Sequence, residues 1–366
     1  MQPLNIIRFL FLGFLLSGQV SCSKKDQPAK DHSGTTSVPT IQSFSLFPGK
    51  DVTSIDQSKH WISVRVPDTV LSGTALTASF TITSGAVLSL NGKPQQSGIT
   101  RNNFENDVYY SVSSTDLHSG QDWTVQAFNN DYSVSWGLGH FINGYASDDR
   151  SYDWYIDQST SGNFAGVNCG PASTTMAIKW ADSNFTKTAL DARMTYEVRG
   201  GWWYTSDVDL YLTNNQVAHA VIALSDHADS TATIIKQQLM NQHIIILCLD
   251  MDLVRSAANI SYHTDKFYTT TPGWGHFIVL KGYKITDGEL FFEAYDPYSF
   301  GLKNGDNTLK GMNRYYRFED LAAACLPWWN YAFVIAKKGS TLSPDAIHRK
   351  LNADYVPVAH SSTRIF

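Results

Sequence analysis

Apolar and polar residues alternate with a period of two through much of residues 41–128. Trp61-Ile62-Ser63-Val64-Arg65-Val66 and Leu76-Thr77-Ala78-Ser79-Phe80-Thr81-Ile82 both alternate, and Val87-Leu88-Ser89-Leu90 runs into the turn pair Asn91-Gly92. Tyr109-Tyr110-Ser111-Val112 and Trp123-Thr124-Val125-Gln126-Ala127 continue the series. Successive side chains of a strand point to opposite faces, so each stretch offers one face to a core and one to water. Short strands at this spacing, separated by turn signals, predict an antiparallel β-sandwich over 41–128. His60 and His118 lie in it without chemical partners and read as surface residues. The period is then lost, and the Gly-, Asn-, Asp- and Ser-rich residues 129–152 read as a linker, His140 included.

A different pattern fills 153–340. Trp154 to Gln158 reads as a short strand. Ser173, Thr174, Met176, Ala177 and Trp180 then recur at helical spacing behind Asn168-Cys169-Gly170-Pro171. Residues 206–212 and 233–240 repeat the helical pattern, the former with Thr205 as its expected N-cap. Ile244 to Leu249 is a continuous apolar run and so a buried strand, followed by strands over 276–283, 289–295 and 331–336. Helices followed by an antiparallel run of strands make an α+β module. Residues 341–366 form a tail without a clear pattern.

The first 22 residues have a different character. Arg8 precedes the apolar run Phe9–Leu16, too short to span a membrane and the right length for a signal-peptide core. Val20-Ser21-Cys22 closes it, and residues 23–40, polar, rich in Pro, Ser and Thr and without a hydrophobic period, read as a flexible linker. The segment resembles a bacterial lipoprotein signal, with Gln19 where that pattern usually has Leu. The resemblance implies lipidation of Cys22 and a chain anchored to the outer membrane or cell surface of a Gram-negative bacterium. An ordinary secretory signal cut nearby is the alternative.

Composition narrows the function classes. Over 366 residues the net charge is -5, which speaks against nucleic-acid binding. The 4 cysteines, Cys22, Cys169, Cys248 and Cys325, show neither a CxxC pair nor a short even framework, so neither zinc nor a disulfide scaffold is expected. No metal-ligand spacing or phosphate loop stands out, and no cofactor is expected. The oligomeric state stays open.

Nucleophilic thiol chemistry needs a base in reach, a group that orients the base, and donors for the oxyanion. Cys169 stands where a helix begins, and a helix N-terminus favours an anion such as a thiolate. His276 starts one strand, Asp296 ends the next, and the turn Thr286-Asp287-Gly288 folds the two into a hairpin that makes them neighbours. Gln158 would donate its amide to the oxyanion beside the Cys169 main-chain N–H. Cys248, in mid-strand, and Cys325, beside an alanine run, read as inert. The pairs Trp202-Trp203 and Trp328-Trp329 read as core or interface.

Asp157-Gln158, Asn168-Cys169-Gly170-Pro171-Ala172-Ser173, the strand at 243–250, Gly275-His276-Phe277-Ile278-Val279 and Ala294-Tyr295-Asp296-Pro297-Tyr298 occur in one order. On these motifs the region from 153 to 336 resembles the papain-fold cysteine peptidases of the bacteriocin-processing type, peptidase family C-39-like. The resemblance implies peptide-bond hydrolysis by Cys169, His276 and Asp296, with Gln158 in the oxyanion hole and a peptide or protein as substrate. The NGKPQQSG turn, Asn103 to Asn106 and the DWTVQAF strand resemble the Ig-like modules of bacterial surface lipoproteins. The expected chain is therefore multidomain, an N-terminal all-β Ig-like sandwich followed by an α+β papain-like cysteine peptidase domain. Two departures stand out: a long aromatic insertion around Gly200-Gly201-Trp202-Trp203-Tyr204, and the lack of a transporter membrane domain, so the exporter role is not carried over. Competing readings are a transglutaminase-like or amidase enzyme on the same residues, and a non-catalytic surface lipoprotein that binds peptide or glycan.

Overall fold

The alternating stretches pair into two sheets. In this computed structural model, which describes residues 38–49, 53–116, 118–130, 134–196, 201–340 and 342, the strands of the first module are β1 (Ile41–Phe47), β2 (Thr53–Asp56), β3 (Trp61–Arg65), β4 (Leu76–Ile82), β5 (Ala86–Leu90), β6 (Lys93–Pro94), β7 (Arg101–Asn102), β8 (Val108–Ser114) and β9 (Gly120–Phe128). One sheet runs β1-β4-β7 and the other β2-β3-β9-β8-β5-β6. Ile62, Val64, Tyr110, Val112, Trp123 and Val125, alternate residues of their strands, share one buried core with Phe44 and Leu46. Asn91 and Gly92 both have positive φ (50° and 74°), as a two-residue hairpin between β5 and β6 requires. The sandwich is not wholly antiparallel as expected. β3 and β9 pair in parallel, because the chain passes through the other strands before returning. The proposed leader 1–22 with Cys22, nearly all of the 23–40 linker, Gly200 and all but Leu342 of the tail lie outside the described residues.

The stretch read as an irregular linker is partly a strand. β10 (Ile142–Ser147) pairs with a strand of the second module, and the preceding residue, Phe141, is buried in the sandwich core. The pattern of β10 is hard to see because its inward positions are one isoleucine and two small residues, Ile142, Gly144 and Ala146, while Asn143, Tyr145 and Ser147 are exposed. The second module continues with 3-10 turns at Gln158–Thr160 and Gly162–Val167, then α1 (Cys169–Ala181), α2 (Ala189–Tyr196) and α3 (Thr205–Asn214). β11 (His219–Ala223), α4 (Ala228–Met240), β12 (Ile244–Asp250), β13 (Gly275–Thr286), β14 (Glu289–Tyr295), β15 (Arg314–Arg317), α5 (Phe318–Cys325) and β16 (Tyr331–Ile335) follow. Their sheet has the order β11-β16-β12-β13-β14-β15, with β10 also on β13.

Both faces of this sheet are covered, which explains the unbroken apolar run of β12. Ile244, Ile246 and Cys248 pack with Met176, Ala177, Val208 and Leu212 of α1 and α3, whereas Ile245, Leu247 and Leu249 pack with Ile235, Leu239, Leu321 and Ala324 of α4 and α5. Two local expectations are corrected. Trp154–Asp157 is not a strand but leads into a 3-10 turn capped by the Asp157 carboxylate. Thr205 is the first residue of α3, and Tyr204 caps that helix together with Asp207. β11 and β15 carried too few alternating residues to be read in advance. Among the described residues no helix is long and apolar enough to cross a membrane.

β13 joins the modules. At its far end the Asp287 carboxylate accepts the main-chain N–H groups of His140 (2.7 Å) and Phe141 (2.9 Å). A Cβ on Gly282 would run into the carbonyl of Ala146, so only glycine lets β10 lie against β13 at this point. Gly282→Val is expected to force β10 off the sheet and cost roughly 1–3 kcal/mol, the usual range for overpacking. Amide hydrogen exchange checks this: protection should fall across 142–147 and persist in β12.

Candidate active site

Cys169 is the first residue of α1, a helix buried on nearly every side, so apolar and small residues surround it rather than a single stripe. Gly170 is needed next, since a Cβ there would sit 2.8 Å from the Cβ of Trp203. The Ser173 hydroxyl donates to the Phe277 carbonyl at 2.9 Å, which fixes α1 against β13 beside His276. The hairpin does what its sequence predicts. β13 and β14 pair Val279 with Tyr295, and Asp296 follows just past the end of β14, diagonal to His276. His276 Nε2 meets Asp296 Oδ1 at 2.7 Å. Nδ1 is the ring nitrogen left over, and Cys169 lines the same cleft as His276, near enough that each shifts the pKa of the other.

All three groups are buried, and burial is the largest influence on each. For Asp296 it works to raise the pKa, but the His276 charge and hydrogen bonds outweigh it and hold the carboxyl below its ordinary range. Those bonds saturate the carboxylate. Oδ1 also accepts Tyr298 N–H (2.9 Å), and Oδ2 accepts Tyr268 Oη (2.9 Å) and Tyr316 Oη (2.6 Å). Burial would lower His276, yet Asp296 and then Cys169 raise it to about 10. Burial would raise Cys169, yet His276 and the main-chain N–H groups of Phe277 and Gly170 lower it. The arrangement therefore favours a thiolate beside an imidazolium.

Gln158 is buried at the same cleft; its main-chain N–H donates to the Pro297 carbonyl and its Nε2 to the Ala165 carbonyl, both at 2.8 Å. The four residues singled out by sequence thus come together, whereas His140 lies at the module junction beside Asp107 and Asp287. Cys248 and Cys325 are buried, with the Cys325 thiol pushed up to about 12 by burial. Among the described residues no group of three or more His, Cys, Asp or Glu could hold a metal ion.

The cleft over Cys169 and His276 has a volume of about 430 Å³. Trp202 and Trp328 line it, while their neighbours Trp203 and Trp329 are core; Trp328 also packs against that core, so the expectation of core or interface holds for three of the four and Trp202 departs from it. Sequence reasoning missed the supporting residues. Arg193, fully buried, donates Nε to Asn168 Oδ1 at 2.6 Å, one Nη to the Val167 carbonyl at 2.8 Å and the other to the Gly201 carbonyl, tying the nucleophile loop to the aromatic insertion. Tyr268 and Tyr316 gave no signal among 18 tyrosines, since nothing local marks a hydroxyl aimed at a distant carboxylate.

Two family models match the chain: residues 41–127 match "SGBP, N-terminal" and residues 154–323 match the "Peptidase_C39 like family". The chain is therefore multidomain, with an N-terminal all-β module followed by an α+β domain of C39-like fold. Similar solved structures include one described as a C39-like peptidase from Bacillus anthracis, at 12% identity and a TM-score of 0.34, covering 53% of this chain and 98% of that one. One described as a secreted protein from Bacteroides fragilis covers 26% and 97% at 16% identity and a TM-score of 0.20. Another, described as a glycoside hydrolase from Bacteroides thetaiotaomicron, covers 86% and 91% at 13% identity and a TM-score of 0.22. No curated protein matches.

The electrostatics give an expected outcome for alkylation. Iodoacetamide should label Cys169 at neutral pH, with a rate that stays high below the ordinary thiol range near 8.5. His276→Ala should remove that advantage, about 10-fold or more, by returning Cys169 to an unassisted buried thiol. Residue-resolved mass spectrometry reads both, with Cys325 silent throughout.

Proposed function

We propose that the chain is an exported, lipid-anchored cysteine peptidase that hydrolyses peptide bonds with Cys169 as nucleophile, His276 as acid and base, and Asp296 as the group that orients and charges the imidazole. The observation that carries this reading is the buried His276–Asp296 hydrogen bond of 2.7 Å with Cys169 beside His276 in one open cleft. The match of residues 154–323 to the C39-like peptidase family supports the same chemistry.

In this reading the Cys169 thiolate attacks the scissile carbonyl carbon. The developing oxyanion takes a hydrogen bond from the Cys169 main-chain N–H, which as the first amide of a helix has no intrahelical partner, and one from Gln158 Nε2. One hydrogen of that amide group is used by the Ala165 carbonyl, so the second is available, and the bond to Ala165 holds the amide in place. The imidazolium gives its proton to the departing amine as the C–N bond breaks, leaving a thioester on Cys169. His276, now neutral, takes a proton from water as the hydroxyl attacks the thioester; the acid product leaves and the thiolate–imidazolium pair is restored. Asp296 stays ionised throughout. The substrate is a peptide or protein, and no cofactor takes part.

The sandwich in this reading is a spacer, and Cys22 carries the lipid that holds the chain at the outer membrane or cell surface. The basis is Arg8, the apolar run 9–16 and Cys22 in the sequence.

Peptide-library turnover followed by mass spectrometry tests the chemistry. Cys169→Ala and His276→Ala should each lower kcat/KM by about 10³-fold or more, as for groups that act as a unit. Equal binding by wild type and Cys169→Ala without turnover would establish the non-catalytic binder instead, and ammonia release without peptide cleavage would establish an amidase or transferase. Cell fractionation tests the anchor: Cys22→Ala should move the protein from the membrane fraction to the soluble one, because a lipid chain contributes about 0.8 kcal/mol of membrane binding per buried CH₂.

A further inference from the structure

Resting on the peptidase reading, the lining of the cleft points to a substrate class. Trp202, Trp274, Tyr298, Phe300 and Trp328 face it together with Val167, and apart from the Cys169–His276 pair none of its described lining residues is acidic or basic. The rings come from separate parts of the chain: the insertion before α3, the residue before Gly275, the loop after β14 and the turn before β16. Such convergence on one cavity is more than an incidental exposed aromatic.

The rings are held in place. Tyr298 packs on Phe300 (centroids 4.6 Å apart) and Tyr268 (4.4 Å), and meets Trp274 edge to face at 6.2 Å. Phe300 is 41% exposed and has φ of 48°, a left-handed conformation that a bulky residue adopts only when its surroundings enforce it. Asp157 enforces it. Its carboxylate accepts the N–H of Phe300 at 3.0 Å and of Gly301 at 2.8 Å. Strain maintained to present an aromatic ring at a cleft mouth makes sense if the ring meets substrate. A preformed aromatic wall also loses little conformational freedom on binding. Gly166 adds a bare stretch of main chain, where a Cβ would meet nothing within 4 Å, so an extended peptide can approach the backbone there.

We propose that this cleft takes a peptide with a bulky apolar side chain next to the scissile carbonyl and rejects an acidic one there. A carboxylate brought among these rings would lose water and meet their negative faces, whereas a cation would be partly compensated by them. Sugars stack on aromatic rings too, but they need several polar side chains at the ring edges. Here the polar lining beyond the catalytic pair is Thr271, Tyr298 and Gln158, the last already bonded to Ala165. A cavity of about 430 Å³ lies within the range that holds a large side chain with its flanking main chain. Asp157 is then a positioning residue for selectivity, acting through Phe300.

The test uses the full chain and short peptidyl electrophiles that differ only in the residue beside the reactive group: Phe, Leu, Gly, Asp or Lys. Labelling of Cys169 should be about 100-fold faster with Phe or Leu than with Asp and about 10-fold faster than with Gly, with Lys, whose ammonium the ring faces attract, between Phe and Asp. Phe300→Ala and Trp202→Ala should each shrink the Phe-to-Asp ratio about 10-fold, a ratio that partial loss of folded protein leaves unmoved. Asp157→Asn should shrink it in the same direction, with Phe300→Leu restoring part of what Phe300→Ala loses. Iodoacetamide is the control. If it labels Cys169 readily while the peptidyl series favours Gly, favours a charged residue or shows no order, the substrate inference fails and the peptidase reading stands. If iodoacetamide is also slow, the peptidase reading fails, and binding of N-acetyl peptide amides to Cys169→Ala, followed by tryptophan fluorescence, decides the cleft. Preference for the Phe peptide would uphold the selectivity; preference for an oligosaccharide, or none, would overturn it.

Discussion

A carboxylate taken wholly out of water is tolerated only when its charge is matched and its lone pairs are filled, and Asp296 meets that condition. It has no exposed surface, and His276, Tyr298, Tyr268 and Tyr316 supply four donors from different parts of the chain. The remainder of the site depends on this one group staying ionised. Were it protonated, burial would favour neutral imidazole, and Cys169 would face burial without a cation beside it. Removing one partner of such a pair costs several kcal/mol because the other stays buried and uncompensated. The two tyrosines that fill Oδ2 are therefore part of the electrostatics of the thiol, though neither comes near it in sequence.

β13 carries the consequence across the molecule. Its first turn of pairing sets His276 opposite Leu249 in the middle of the sheet, and its last residues set Gly282 beneath β10. The turn that follows holds Asp287, which binds the main chain of the sandwich's final residues. One strand thus fixes the imidazole at one end and the first module at the other. Lys281, fully buried between Glu293 and Asp149 at 2.7 and 2.8 Å, keeps the charges in between paired. Module contact here combines main-chain hydrogen bonding to a carboxylate, a strand addition and an apolar cluster in which Leu138 and Trp136 pack on Phe291 and Tyr315.

The separation between what could and could not be read in advance follows from how local each signal is. Cys169 at the start of α1 was legible because helix spacing and a first-turn proline are local, and His276 with Asp296 was legible because a hairpin fixes which ends meet. The continuous apolar run of β12 was legible for the same reason: cover on both faces leaves no polar side. β10 was not, since its inward positions after Ile142 are the small residues Gly144 and Ala146, which leave little hydrophobic pattern. The parallel pairing of β3 and β9 was not legible either, because alternation reports which face is buried and says nothing of strand direction. Nothing local marks Arg193 in ALDARMTY; its donors are met by Asn168, Val167 and Gly201, which converge on it from outside the helix.

The tryptophan pairs show the same limit at the scale of one residue. Trp202-Trp203 and Trp328-Trp329 are identical in composition, yet in each pair the second ring is core and the first lines the cleft. Adjacent side chains in irregular main chain diverge, so a pair of large rings can fasten a loop with one and present the other. Fastening is what gives the presented ring its value. Trp203 lies against Gly170, where a Cβ could not fit, so the position of Trp202 is set by the same contact that seats the nucleophile helix. Gly275 repeats the arrangement, since a Cβ there would lie 2.5 Å from the Trp328 ring immediately before His276. The walls of the cleft and the groups that react within it are thus positioned by shared glycine contacts, and neither can shift without the other.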